Sequence, residues 1–261
     1  MYDFHMHSRI SFDCEAEPED MLRAAVKAGL KEICFTDHVD YDPQDWNRPL
    51  RFEMQDYSDA YDHLQAEGLK IRRGFEFGML ANNVEEFHRD VKRREFDFVI
   101  GSMHFADGCD PYFDAYWEGK TMDQAEITYF NELLECVRVH DDFDVLGHLT
   151  FVSKAWANPT KRPILYDTYR DVADEIMKLL VAKGKGMEIN TSGMDSVGDF
   201  LPSAAYFKRF KELGGEIITV GADAHTPDRV GQYCKEACQL AADIFGYVCT
   251  FERRVPIFHK L

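Results

Sequence analysis

The 261-residue chain has no run of about 18 apolar residues that could cross a bilayer as a helix, and its opening, MYDFHMHSRI, has neither the basic segment nor the apolar stretch of an export signal. These absences set the expectation of a cytoplasmic protein with no membrane contact. Basic residues are scarce: 30 Lys and Arg stand against 47 Asp and Glu, a net charge of −17 that repels polyanions and disfavours long nucleic acid as a partner. The seven cysteines form no CxxC and are odd in number, which excludes a simple disulfide framework and fits reduced thiols; Cys34 and Cys249 lie in strand-like runs and read as core. No Pro/Ser-rich linker or low-complexity tract divides the sequence, so a single domain over 1–261 is expected. What is abundant is core material, 45% hydrophobic and 13% aromatic residues, which excludes wholesale disorder.

Short apolar runs alternate with longer amphipathic stretches. Strands are predicted at 2–5, 32–37, 71–77, 96–102, 143–148, 186–190 and 216–222, with an eighth at 247–252. Helices are predicted at 18–28, 56–67, 83–94, 121–139, 166–183, 203–213 and 232–245, with Pro18 and Thr121 as start signals and Gly29, Gly68, Gly184 and Gly214 where the chain turns back. Seven consecutive βα units imply a parallel, right-handed closed barrel, with an open doubly wound sheet as the alternative.

Barrels of this kind assemble their sites at the C-terminal ends of the strands. Strand by strand, those ends carry His5 and His7, Asp37 and His38, Glu76, His104, His148, Glu188 and Asn190, and Asp223 and His225. Six of the ten histidines therefore fall at strand ends. In an extended segment residues i and i+2 share a face, so His5 and His7 can grip one ion. With Asp13, Glu76 and Asp223 these histidines form a ligand set without thiolate, suited to Zn, Mn or Fe(II) and too large for a single four-coordinate ion; Glu76 can bridge two ions. His63, His88, His140 and His259 lie outside the pattern and are assigned no metal. The basic run 92–94 reads as a solvated helix face. Clustered cations clamp phosphoryl oxygens and lower the pKa of a bound water, so phosphoester hydrolysis is the fitting reaction, with carbonyl hydrolysis also compatible.

HMHS at 5–8 with Asp13, TDH at 36–38, GFEFG at 74–78, GSMHF at 101–105, FDVLGHL at 143–149, EINTSG at 188–193 and GADAH at 221–225 together resemble the polymerase and histidinol phosphatase (PHP) family, and are most similar to the stand-alone histidinol-phosphate phosphatases. The resemblance implies a distorted TIM-like (β/α)7 barrel. It implies a trinuclear site in which His5, His7, Glu76 and Asp223 hold one ion, Glu76, His104 and His148 a second, and Asp13, His38 and His225 a third. The implied activity is a metal-dependent phosphomonoesterase using two or three divalent ions (Zn, Mn or Fe), in which a metal-bridging hydroxide attacks phosphorus without a phosphoenzyme. The implied substrate is L-histidinol phosphate, in histidine biosynthesis. The alternatives are another small phosphate ester or a short nucleotide, and a non-catalytic, regulatory metal-binding barrel.

Catalytic roles fall to Asp37, His38 and Glu76, with Asp37 either orienting a ligand or shuttling a proton. The resemblance leads one to expect an arginine just after EINTSG, where Met194 and Asp195 stand instead. Lys154, Arg9 or Arg162 could supply the missing cation, and Lys154, Arg9 and Asn190 are the candidate substrate contacts. Asp195 itself offers an alternative: a carboxylate for a cationic amine of the substrate.

Overall fold

A computed structural model describes residues 1–261. The elements run β1 (Tyr2–Met6), α1 (Pro18–Lys27), β2 (Glu32–Phe35), β3 (His38–Val39), α2 (Met54–Tyr61), β4 (Lys70–Gly78), α3 (Val84–Asp90), β5 (Phe98–Ser102), α4 (Asp114–Trp117), α5 (Met122–Val139), β6 (Val145–Leu146), α6 (Arg170–Ala182), β7 (Gly186–Asn190), α7 (Ala204–Glu212), β8 (Ile218–Gly221), α8 (Cys234–Ile244), β9 (Tyr247–Glu252) and β10 (Val255–Lys260). Seven strands pair in the order β1-β2-β4-β5-β6-β7-β8, all in parallel, with β3 beside the upper half of β4. A parallel bridge between Met6 and Ala224, with Asp223 N donating to His5 O at 2.7 Å and His7 N to Ala224 O at 2.9 Å, brings the last strand back to the first. The result is the nearly closed parallel barrel that the βα rhythm predicts, not the open sheet.

Apart from the first four residues of β4, which lie near the surface, the barrel strands are buried along their whole length, as expected for parallel strands covered by helices. Each helix presents one stripe to them. In α1 the buried residues Pro18, Met21, Leu22 and Ala25 recur at helical spacing. Thr121 caps α5 in a capping box: Gln124 N donates to its hydroxyl at 3.2 Å and its own N–H donates to Gln124 Oε1 at 2.8 Å.

The eighth strand expected at 247–252 is present, and it lies outside the seven-stranded barrel, pairing antiparallel with β10 in a hairpin. Phe251 from this hairpin packs on Phe98 inside the barrel, with Phe4 in the same cluster, and Arg253 N and Arg254 N donate to Asp97. The hairpin therefore seals the barrel end from which the strands start. Helix α2 stops at Tyr61 rather than 67 because both Leu64 and Leu69 are buried and the chain leaves the helical path to place them, tertiary packing overriding local propensity. Helix α3 ends at Asp90, so the basic run beyond it is not a helix face. Arg94 instead donates to Asp62 Oδ1 at 2.6 Å, and Arg93 to Phe52 O at 3.2 Å, fastening this turn to α2. Finally, the helix predicted from 166 begins as a 3₁₀ turn, and the short α4 has no counterpart among the predicted elements.

Candidate active site

The opposite rim, where the parallel strands end, gathers nearly every predicted ligand around Glu76, whose side chain is fully buried on β4. Glu76 Oε1 accepts a hydrogen bond from Ser102 Oγ at 2.6 Å and lies 2.8 Å from His148 Nε2 and 3.2 Å from His104 Nε2. Its Oε2 lies 3.2 Å from His5 Nε2, 3.2 Å from His38 Nδ1 and 3.6 Å from His7 Nε2. Asp223 Oδ1 is 3.4 Å from His7 Nε2 and 3.6 Å from His5 Nε2. Asp13 Oδ2 stands 3.5 Å from His38 Nε2 and 3.3 Å from His225 Nε2. His63, His88, His140 and His259 all have other partners away from this cluster.

Local backbone features make this convergence possible. The pairing of β1 with β2 shifts register between Asp3 and Met6, an irregularity of the kind that re-aims side chains beside active sites. Asp223 sits at φ 54°, a left-handed turn that Asp tolerates better than most residues, and its carboxylate meets His5 and His7. A Cβ at Gly221 would strike both Glu188 and His5, so only glycine lets these two approach β8.

The way the imidazoles are backed shows what they are built to hold. His5 Nδ1 lies 2.6 Å from Glu188 Oε1, His104 Nδ1 2.8 Å from Asp40 Oδ1, and His225 Nδ1 3.0 Å from Asp223 O. His7 Nδ1 lies 2.9 Å from Ser11 Oγ, whose own proton goes to Asp37 Oδ1 at 3.0 Å. In all four rings an acceptor fixes the Nδ1–H tautomer and leaves the Nε2 lone pair facing the cluster, the arrangement expected of metal-ligating histidine. Nine buried side-chain polar atoms in the molecule have no hydrogen-bond partner, and six belong to this cluster: His5 Nε2, His7 Nε2, His38 Nδ1, Asp40 Oδ2, Glu76 Oε2 and His148 Nδ1. Unpartnered buried polar atoms are costly unless a ligand satisfies them. The residues present therefore fit a group of divalent ions.

The electrostatics agree. Burial opposes charge on His5 and His38, yet the carboxylates around them, Glu188 and Glu76 for His5 and Asp13 and Glu76 for His38, raise their pKa well above that of a free imidazole. His104 is likewise raised to about 10 against burial by Asp40 and Glu76. Glu76 and Asp223 are held well below the usual carboxylate range despite burial, Glu76 by His5 and His104 and Asp223 by Lys154 and His5. The carboxylates draw positive charge into a buried place, and divalent ions meet that demand at higher charge density than protons.

Not all the predicted site residues reach the cavity. Asp37 is buried beneath the cluster, accepting from Ser8 N at 2.8 Å, from Ser11 Oγ and from the Tyr61 hydroxyl. It orients His7 through Ser11 and has no path to a substrate proton. Arg9 points to solvent and pairs with Glu17, and Arg162 pairs with Glu126, so neither supplies a cation here. Asn190 is fully buried; its amide donates to Glu188 Oε2 at 3.1 Å and its oxygen accepts from Ser192, so it braces the floor rather than touching substrate. Lys154 does line the cavity, its Nζ donating to Asp223 Oδ2 at 2.6 Å and Ser192 Oγ at 2.8 Å. Asp195 is occupied by Arg229, Tyr233 and Gln232 and is not open to an amine.

Two groups of residues were missed. Asp40, which backs His104 and lies 3.2 Å from His38 Nδ1, stands two residues after His38, just past the end of β3, so the same i, i+2 argument used for His5 and His7 could have found it. The other group is the wall of the cavity, about 390 Å³, that opens above the cluster: Phe12, Phe105, Tyr112, Phe113 and Phe151, with Asp110 among them. Asp110 Oδ1 accepts from Tyr112 N at 2.8 Å, while Oδ2 has no partner in the protein. Burial raises the Asp110 pKa. This wall comes mainly from the irregular segment after β5, which carries no periodicity to read.

Comparison with known proteins follows the same lines. The sequence profile of the PHP domain matches residues 3–192. The chain is 31% identical over 232 residues to a histidinol-phosphatase of Lactococcus lactis subsp. lactis, covering 87% of this chain and 85% of that protein. It is 29% identical over 260 residues to a probable histidinol-phosphatase of Clostridium acetobutylicum, covering 98% of each. Among solved structures, the histidinol phosphate phosphatase of L. lactis, complexed with zinc, L-histidinol and phosphate, superposes with a TM-score of 0.86 at 28% identity over 98% of both chains.

Proposed function

This chain belongs to the PHP domain family, and on that premise we propose that it is a phosphoric monoester hydrolase converting L-histidinol phosphate to L-histidinol and inorganic phosphate, with two or three divalent ions at the rim. The observation that carries the proposal is the set of Nδ1-backed histidines converging with Glu76, Asp223 and Asp13 beneath a cavity that opens to solvent. Similarity to relatives named histidinol-phosphatase, one of them seen with zinc, L-histidinol and phosphate, supports the substrate and makes zinc the first ion to test. With no helix long and apolar enough to span a membrane and all seven cysteines free, a cytoplasmic location fits this reading.

His5, His7, Glu76 and Asp223 would hold one ion, Glu76, His104 and His148 a second, and Asp13, His38 and His225 a third. Bound there, such ions neutralise phosphoryl oxygens and lower the pKa of a water. The chain's own part is positional. Glu188, Asp40 and the Asp37–Ser11 pair fix the imidazole tautomers, and Asn190 braces Glu188. Lys154, beside Asp223, presents an ammonium to the phosphoryl group. The aromatic wall excludes water around the leaving alcohol, and Asp110, with its free Oδ2, receives that alcohol's cationic amine or imidazole. A zinc-dependent release of phosphate from L-histidinol phosphate, faster than from sugar, amino-acid and nucleotide phosphates, is the expected result. Preference for a nucleotide or sugar ester would overturn the substrate, and metal-loaded protein inert to every ester would overturn the activity.

A further inference from the structure

Beside the aromatic cavity lies a second chamber of about 330 Å³ with a different character: Lys154, Ser192, Ser196, Thr226, Arg229 and Gln232 are among its lining residues. The two spaces share Tyr112, Lys154, Asp223 and His225 as a common wall. Beyond that shared wall, one cavity is lined mainly by rings, imidazoles and carboxylates, and its neighbour by Arg229 and several hydroxyls. Each of its cations is paired on one side with a carboxylate of the chain, Lys154 with Asp223 and Arg229 with Asp195.

Arg229 is held as a binding group is held. Its Nη1 donates to Asp195 and Gln232, while Nε and Nη2 have no partner in the protein, leaving half of the planar fork unused. Asp195 is itself steadied by Tyr233 Oη at 2.6 Å and Gln232 Nε2 at 3.2 Å. The segment bearing Arg229 is tied down on both sides: Thr191 Oγ1 donates to Gln232 O at 2.7 Å, and Gly231 N donates to Asp3 Oδ2 at 2.9 Å. Only three residues separate Arg229 from His225, so the guanidinium and the ligand cluster share one short connection after β8.

We propose that the chamber between Lys154 and Arg229 is a phosphate subsite, in which the Arg229 guanidinium, fixed by Asp195, binds oxygens of the phosphoryl group or of the phosphate released from it. The free edge formed by Nε and Nη2 matches two oxygens of a tetrahedral dianion, and an arginine already paired on one side loses little freedom on binding it. The inference rests on the phosphomonoesterase reading above and adds a residue that sets its preference for phosphate esters.

Inorganic phosphate binding to the zinc-loaded protein, measured by calorimetry beside the zinc content, tests this directly. Arg229→Gln is expected to weaken phosphate by roughly tenfold or more, Arg229→Lys by less, and Asp195→Asn by an intermediate factor, with zinc content and L-histidinol binding unchanged in all three. In turnover, Arg229→Gln is expected to raise KM more than it lowers kcat. Phosphate affinity within about twofold of wild type in Arg229→Gln would overturn the subsite. Arg229-dependent phosphate binding in a protein that leaves L-histidinol phosphate intact would support the subsite and remove only the substrate assignment. Hydrolysis of that ester with Arg229-independent phosphate binding would remove only the subsite.

Discussion

The two ends of the barrel treat buried polar groups in opposite ways. At the end sealed by the β9–β10 hairpin, the charges are matched: Arg72 pairs with Glu32 at 2.6 Å and Glu252 at 3.1 Å, Arg254 pairs with Asp144, and Asp97 accepts from three backbone N–H groups. At the open end, six buried polar atoms of the histidine and carboxylate cluster are left without partners. One end spends its polar groups on holding the fold, and the other withholds them for a ligand. Stability and function are thereby separated along one axis, and changes at either end should act on one property far more than on the other.

The largest expected effect is at the open end. Glu76→Gln keeps the shape but removes the central charge, and turnover should fall by about 10³-fold or more while the thermal midpoint of the metal-free protein shifts by only a few degrees. Equal losses of activity and stability would erase the separation of the two ends. A chelator should silence the enzyme reversibly, and added zinc should raise the thermal midpoint in a concentration-dependent way, because ions bind the folded cluster and not the unfolded chain. Activity that survives exhaustive chelation would contradict the cluster's role.

At the sealed end the effect should be reversed in kind. Phe251→Ala removes a ring packed on Phe98 at 4.9 Å and should cost about 3–5 kcal/mol in urea unfolding, with zinc content and kcat of the folded protein retained. A smaller effect is expected from Asp110→Asn: KM for L-histidinol phosphate should rise roughly tenfold, while an aryl phosphate whose leaving group carries no cation is unaffected. Equal losses on both esters would show that Asp110 shapes the wall and does not read charge.

The smallest effect comes from a histidine outside the cluster. His140 is buried, its Nε2 2.8 Å from Leu80 O, and burial holds its pKa below that of a free imidazole. A lowered folded-state pKa gives stability that is complete above about 6.5 and is lost as pH falls through the folded value. In zinc-saturated protein, the unfolding free energy of wild type from urea titration should therefore fall more between pH 7 and 5 than that of His140→Gln, by of order 1 kcal/mol or less. Parallel pH profiles would show that His140 does not titrate with unfolding.

These contrasts also explain what could be read in advance. The barrel was legible because parallel strands are short apolar runs bounded by turn residues, and the ligands because a strand's end can be located even when its length cannot. His5, His7, His38, Glu76, His104, His148, Asp223 and His225 all follow from that rule, and the structure brings them together with Asp13. The hairpin was half legible: a strand at 247–252 is visible in its β-branched and aromatic residues, but nothing in it says whether it closes the barrel or caps it. Arg9, Arg162 and Lys154 look alike as cations, and only packing distinguishes the one that turns inward. Asp110 and Arg229 lie on segments without period, and their place is set by contacts with residues distant in the chain.

The most direct test of the account is a crystal structure of the zinc-soaked protein with diffraction recorded at the zinc edge. Anomalous peaks should lie among His5, His7, Asp13, His38, Glu76, His104, His148, Asp223 and His225, with at least two ions sharing the space around Glu76. Zinc found only at exposed histidines such as His63 and His88, with that rim empty, would contradict it.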